Sequence, residues 1–232
     1  MLKLIQYSFC PFSRSIRLAL VECGLLVELE EERPWAWRRE FLALNPAGNL
    51  PVLVKQDDFT LCGAYAISEF LAETYGKIDG EGPPTNIIFP GDMKQGAEVR
   101  RLTDWFHNKF DQEVSRYLLS ERLYQRFVDT GRNSPDIDLI RAGRANLRYH
   151  LSYIDHIVTT KKWLSGDTIS FADYAAGGHL SVLDYLSEIH WDDYPFAKKW
   201  YIQLKIRPSF RPLLSDRLPG VAPPKNYTEV EF

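Results

Sequence analysis

Residues 77–92 constrain the fold of this chain more than any other stretch. Gly80, Gly82, Pro83, Pro84, Pro90 and Gly91 punctuate the segment, and no apolar periodicity survives across it. The two sides of this break are patterned differently. Before it, short apolar runs of strand length alternate with helical stretches. After it, apolar residues recur at helical spacing only. One sheet or one bundle cannot satisfy both patterns. The chain is therefore predicted to form two domains, 1–76 and 93–217, with 77–92 as a linker and 218–232 as an extended tail broken by Pro219, Pro223 and Pro224. A chain of 232 residues can bury two cores without a metal or disulfide staple.

In the first part, Leu2–Tyr7 reads as a strand, Phe12–Cys23 as a helix and Leu25–Leu29 as a second strand. Ile16, Ala19, Leu20 and Cys23 share one helix face, and Gly24 stands where a left-handed helix end belongs. Strand, helix and strand in so short a span make a βαβ unit with a parallel pair. A helical turn over Trp37–Leu44, a turn at 45–49, a hairpin of Pro51–Val54 and Phe59–Leu61, and a helix over Ala64–Tyr75 complete an α/β, thioredoxin-like domain.

The second part reads as all-α. Asp92 and Gln95 have the spacing of a capping box and open a long helix to about Val128, with Val99, Leu102, Phe106, Phe110, Val114 and Tyr117 on one face. Ser134 and Pro135 suit the start of a second long helix carrying Leu139, Leu147, Leu151, Ile154 and Val158. Ser170 and Asp173 form another capping-box pattern, and a further helix spans Tyr194–Ile206. Gly177-Gly178, inside a helical stretch, reads as a close packing point.

This order of elements, with several motifs, resembles the cytosolic glutathione transferase superfamily. Asn49-Leu50-Pro51-Val52-Leu53 is similar to its cis-proline segment. Asp58-Phe59-Thr60-Leu61 and Ala66-Ile67 match parts of the motif that follows. Phe89-Pro90-Gly91-Asp92 matches the entry to its first long helix, and Ser170-x-x-Asp173 its buried folding motif. Glu31-Glu32-Arg33-Pro34-Trp35, Asn45-Pro46-Ala47-Gly48 and the ending Asp216 to Tyr227 further resemble a branch of that family: the glutathione-transferase-like division proteins of alphaproteobacteria that bind the tubulin-like protein FtsZ.

The resemblance marks a candidate glutathione site at Cys10, Ser13, Leu50, Pro51, Gly63 and Ala64. Cys10 precedes a helix, where the dipole and unpaired N–H groups favour a thiolate. Cys10-Pro11-Phe12-Ser13 is similar to the monothiol site of glutathione-dependent thiol transferases and dehydroascorbate reductases. The competing reading is an inherited cysteine with no substrate. The family's acidic-Ser pair, which holds the charged γ-glutamyl end of glutathione, falls here on Gly63 and Ala64. These supply neither charge nor hydroxyl. Losing two hydrogen bonds to charged groups, at about 1.5–3 kcal/mol each, weakens binding by roughly two to four decades if they add. Pro51 reads first as a residue that shapes its turn.

Partner contact is expected at Trp35, Trp37, Arg38 and Arg39, because Trp and Arg are enriched at binding hot spots. One Trp is expected to be buried and one partly exposed. The tail residues Tyr227, Glu229, Glu231 and Phe232 could meet a partner's basic groove or fold back over this chain's own cleft. Arg141, Arg144 and Arg148 share a helical stripe that could meet an acidic partner. Tyr117, Leu118 and Leu119 cannot all face one core, and the family's long helix builds a dimer seam, so these three are assigned to an isologous homodimer.

Other function classes are poorly supported. Lys and Arg number 28 against 31 Asp and Glu, a net charge of -3, so no nucleic-acid footprint is present. The five histidines lack metal-ligand spacing. Three cysteines at unrelated spacings suggest a reducing compartment. No membrane-spanning segment or signal segment is read, and a cytoplasmic location at the division site is expected. The favoured reading is a non-catalytic adaptor that binds FtsZ filaments as a homodimer and needs no cofactor or metal. The alternative is a thiol transferase that uses Cys10 and glutathione.

Overall fold

The structure is a computed structural model, described here for residues 2–55, 59–78, 85–128 and 134–228. The first domain contains β1 (Leu2–Gln6), α1 (Pro11–Glu22), β2 (Val27–Glu31), α2 (Arg39–Leu44), β3 (Val52–Lys55), β4 (Phe59–Cys62) and α3 (Ala64–Thr74). The four strands form one sheet in the order β2-β1-β3-β4. β1 pairs parallel with β2, whereas β1–β3 and β3–β4 are antiparallel. β2 lies two residues later than the apolar run suggests and takes in Glu28, Glu30 and Glu31. It is an edge strand, where charged side chains guard the open backbone. Lys3 and Gln6 of β1 bind Glu30 and Glu31 at 2.7 and 2.6 Å.

The stretch read as a linker holds a two-stranded ribbon, β5 (Lys77–Ile78) with β6 (Thr85–Asn86). The second domain opens with α4 (Met93–Asp104), capped by the Asp92 carboxylate, which accepts from the Gln95 N–H at 2.9 Å. The predicted uniform helix does not continue from there. An i→i+5 bonded run, Trp105–Ser115, intervenes before α5 (Arg116–Arg122). Such turns take up an extra residue and shift the face that follows. Val99, Leu102, Phe106, Phe110 and Val114 are buried as expected, but after the shift Leu118 and Leu119 turn inward and Tyr117 does not. The assignment of Leu118 and Leu119 to a dimer seam is thereby corrected: they are 0% and 2% exposed in the single chain. Tyr117 is half-buried.

α6 (Ile137–Ile157) is capped by Asp136, not Ser134; its carboxylate accepts from the Asp138 and Leu139 N–H groups. α7 (Phe171–Tyr185) is buried along its whole length and opens with the Ser170–Asp173 capping box. Asp173 also accepts from Leu164 N–H and Trp200 Nε1 at 3.0 and 2.9 Å. α8 (Pro195–Lys205), α9 (Arg211–Ser215) and α10 (Lys225–Thr228) follow. The expected extended tail thus contains a helical turn.

The domains meet where α1 packs on α7. A Cβ on Gly178 would sit 2.4 Å from the Pro11 carbonyl oxygen, so only glycine allows this approach. At the same seam Arg14, 0% exposed, donates to Ser181 Oγ, Tyr227 Oη and Asp216 at 2.9, 3.2 and 3.2 Å. Arg17 forms a bidentate pair with the same Asp216.

Candidate functional site

A cleft opens beside this seam, where the start of α1, the turn before β3 and the start of α3 face the i→i+5 run. The Leu50–Pro51 bond in that turn is cis. Phe12, Asn49 and Leu50 border two lobes of the cleft, about 330 and 340 Å³ in volume. Cys10 lies in the first lobe, opposite Asp111, Arg116 and Tyr124; Gly63 and Ala64 lie in the second, opposite Asp104 and Asn108. Cys10, Leu50, Gly63 and Ala64 of the candidate glutathione site therefore line one cleft, whereas Ser13 and Pro51 do not line it. The opposing wall was not read from the sequence. Asp111 and Ser115 stand four apart among other polar residues of Trp105–Ser115, so no local signal sets them apart.

Cys10 is the N-cap of α1 and its carbonyl accepts from Arg14 N–H at 3.0 Å. The helix start does not activate its thiol. Burial pushes the thiol up from its ordinary value, and bonds from Ser13 and Phe12 only partly offset that. Asp111 across the lobe adds to the effect, since its own negative charge disfavours a thiolate. Burial also raises the Asp111 carboxyl to about 6, against the pull of Arg116. Ser13 is fully buried, with its Oγ 3.4 Å from Tyr7 N–H, and serves the local turn.

At the second lobe, Gly63 has φ +89° and caps α3. A Cβ built on Gly63 meets nothing within 4 Å. The site thus has room for a side chain and carries none. Backbone N–H groups at the start of α3 remain as anion donors, yet no cationic, acidic or hydroxyl side chain stands at Gly63 or Ala64 to hold the charged end of glutathione. Among the described residues no cluster of three or more His, Cys, Asp or Glu could hold a metal ion.

The aromatic border divides into two roles. Trp35 is half-buried: it stacks on Phe127 at 5.7 Å and meets Tyr7 edge-on at 5.0 Å, so it pins the first domain to the segment that follows α5. Trp37 is 66% exposed in a left-handed conformation, φ 49°, with one ring edge over Gly48. Arg38 pairs with buried Glu32 at 2.6 Å, and Arg39 is exposed. Trp37, Arg38 and Arg39 form one surface. Tyr227 does not belong with them. It is 0% exposed, and its hydroxyl accepts from Arg14 and donates to the Leu213 carbonyl. The assignment of Tyr227 to a partner contact is thus overturned by its burial against α1. Glu229, Glu231 and Phe232 lie outside the described residues. Of the arginine stripe, Arg144 pairs with Glu188, which Arg122 shares.

The glutathione S-transferase N-terminal domain pattern matches residues 9–74 and the C-terminal domain pattern residues 136–208. The chain is 43% identical to FtsZ-localized protein A of Caulobacter vibrioides over 225 residues, covering 96% of this chain and 94% of that protein. Among solved structures, it is similar to a glutathione S-transferase from Sinorhizobium meliloti (TM-score 0.92, 44% identity, all of both chains). It is likewise similar to FzlA from C. crescentus (TM-score 0.90, 40% identity, 100% of this chain and 99% of that one). The cis proline before β3, the capping box of α7 and the cleft between a small mixed sheet and a helical domain have the same origin: the chain belongs to the glutathione S-transferase family.

Proposed function

We propose that this chain is a non-catalytic, glutathione-transferase-like adaptor that associates with FtsZ polymers as a homodimer and supports bacterial cytokinesis, working in the cytoplasm at the division site. The observation that carries this reading is the 43% identity, over 96% of the chain, to a protein named for its localisation with FtsZ. Three features of the site support it. Gly63 and Ala64 leave the start of α3 without ligand side chains. Burial raises the Cys10 thiol from its ordinary value, which weighs against thiol transfer. An exposed Trp37 beside Arg38 and Arg39 is a surface expensive to leave bare without a partner. Among the described residues no helix is long and apolar enough to cross a membrane.

The test is co-sedimentation with FtsZ polymerised by GTP, with GDP as the unpolymerised control. GTP-dependent pelleting that saturates is expected, and Trp37→Ala should weaken it at least about tenfold, the effect of a hot-spot residue. Equal pelleting with GDP, or none, would overturn the adaptor reading. Light scattering should give twice the mass of one chain. A glutathione titration should show no tight, stoichiometric binding.

A further inference from the structure

A second concavity, distinct in its lining from the cleft, lies between the first half of α6 and the end of α5. Its volume is about 280 Å³, and Arg122, Ile137, Ile140, Arg141, Arg144 and Arg148 line it. Ile137, Arg141, Arg144 and Arg148 follow one another at steps of four, three and four, so they form one stripe of α6. The stripe is about 16 Å long at 1.5 Å per residue. Arg122 comes to it from the end of α5.

The charges here do not balance. Glu188, 0% exposed in its side chain, is shared by Arg122 at 2.8 Å and Arg144 at 2.7 Å. One carboxylate fixes both guanidinium groups in place and neutralises only one of them. Arg141 has a single partner, Asp138, and the pair is 75% and 87% exposed, where water and salt screen it. Arg148 has no ion pair among the described residues. Among the described residues, the four guanidinium groups of the lining thus pair with two carboxylates, in a chain whose net charge is -3. The wall is also partly apolar. Ile140 is 6% exposed beneath the arginines, and Ile137 is 61% exposed at the rim.

We propose that this pocket docks an acidic segment of a protein partner, with carboxylates on Arg141, Arg144 and Arg148 and an apolar side chain on Ile137 and Ile140. Guanidinium groups bind carboxylates through paired N–H donors, and Glu188 fixes one of the three, Arg144, by its Nε and Nη2 edge, which leaves its other edge for that contact. The exposed isoleucine discriminates among polyanions. A polyphosphate backbone has no apolar group to place on it, and the lining has no aromatic ring on which a base could stack. The site shares no lining residue with the cleft or with the Trp37 surface, and it stands whether or not the chain binds FtsZ.

Calorimetric titration of the full chain with the blocked hexapeptide Glu-Leu-Glu-Glu-Leu-Glu tests the proposal. Saturable binding is expected. It should weaken at least about tenfold in the double variant Arg141→Glu, Arg148→Glu, and at least about threefold between roughly 50 and 300 mM salt. The version with serine in place of leucine should bind more weakly. Circular dichroism checks that the double variant is folded, and Arg141→Gln with Arg148→Gln replaces it otherwise. No saturable binding to the unmodified chain, or equal affinity in the variant, would overturn the proposal. So would a serine peptide, a single-stranded oligonucleotide or an anionic vesicle that binds as tightly as the leucine peptide, since any of these would make the pocket a general anion site.

Discussion

At Cys10 and His107 burial outweighs the features that a sequence displays. Cys10 has the helix start of a reactive thiol, yet desolvation raises it. With Cys23 and Cys62 replaced by serine, its alkylation rate should rise with pH around a midpoint above the ordinary value of about 8.5. A rate already on its plateau at neutral pH would mean an activated nucleophile. His107 lines the second lobe with its Nε2 buried and unpartnered, and burial lowers it to about 3. Its folded value lies below the unfolded value of about 6.5, so between those limits the unfolded chain binds the extra proton and stability falls as pH falls. His107→Gln should flatten that dependence between pH 6.5 and about 3 relative to the unchanged chain, as followed by urea unfolding. Parallel curves for the two proteins would show that the ring titrates normally in the fold.

Among elements, the contact of α1 with α7 is the least forgiving. Gly178→Ala would press a methyl on the Pro11 carbonyl and on Ser15 N, 2.4 and 3.1 Å away, and backbone cannot step aside cheaply. A loss of about 1–3 kcal/mol is expected from denaturant unfolding. Gly177→Ala meets the Leu204 Cδ2 at 2.4 Å, the mobile end of a side chain. It also gains about 1 kcal/mol of helix propensity, so it should be within about 1 kcal/mol of neutral. A reversed order of the two would place the tight approach elsewhere. The same helices show what the sequence made legible. Periodicity and the Ser170–Asp173 cap are local signals that mark the two kinds of domain and the capping box, the Gly177-Gly178 pair marks the close approach, and the residues of half of the cleft follow from the family resemblance. The other half rests on Asp111, Arg116 and Tyr124, which reach the cleft through an i→i+5 run that helical periodicity does not reveal. That run also reversed the roles of Tyr117 and Leu118. Tyr227 follows a Pro-rich stretch that reads as extended, and its burial depends on Arg14, far away in sequence.

In the whole molecule, the two domains are held as one by polar contacts that bridge the ends of the chain. Arg14, Ser181, Asp216 and Tyr227 form a buried set around one guanidinium, and Glu22 adds a bidentate pair with Arg207 at 2.7 Å. Tyr227→Phe removes a hydroxyl that serves both Arg14 and Leu213, and should cost about 1.5–3 kcal/mol, the range for a hydrogen bond to a charged group. Chemical unfolding that is unchanged within about 0.5 kcal/mol would show that Ser181 and Asp216 suffice for Arg14.

The tie between Arg14 and the far end of the chain also has a consequence for biosynthesis. Arg14 leaves the ribosome early, and its carboxylate partner is 202 residues further along. At about 5–20 residues per second, the arginine waits roughly 10–40 seconds for that partner. Until then the first domain cannot bury the face that carries it, because an unpaired guanidinium holds water. The nascent sheet and α1 must therefore be shielded or remain loose through most of translation. The native domain interface closes only as the final helix turn emerges.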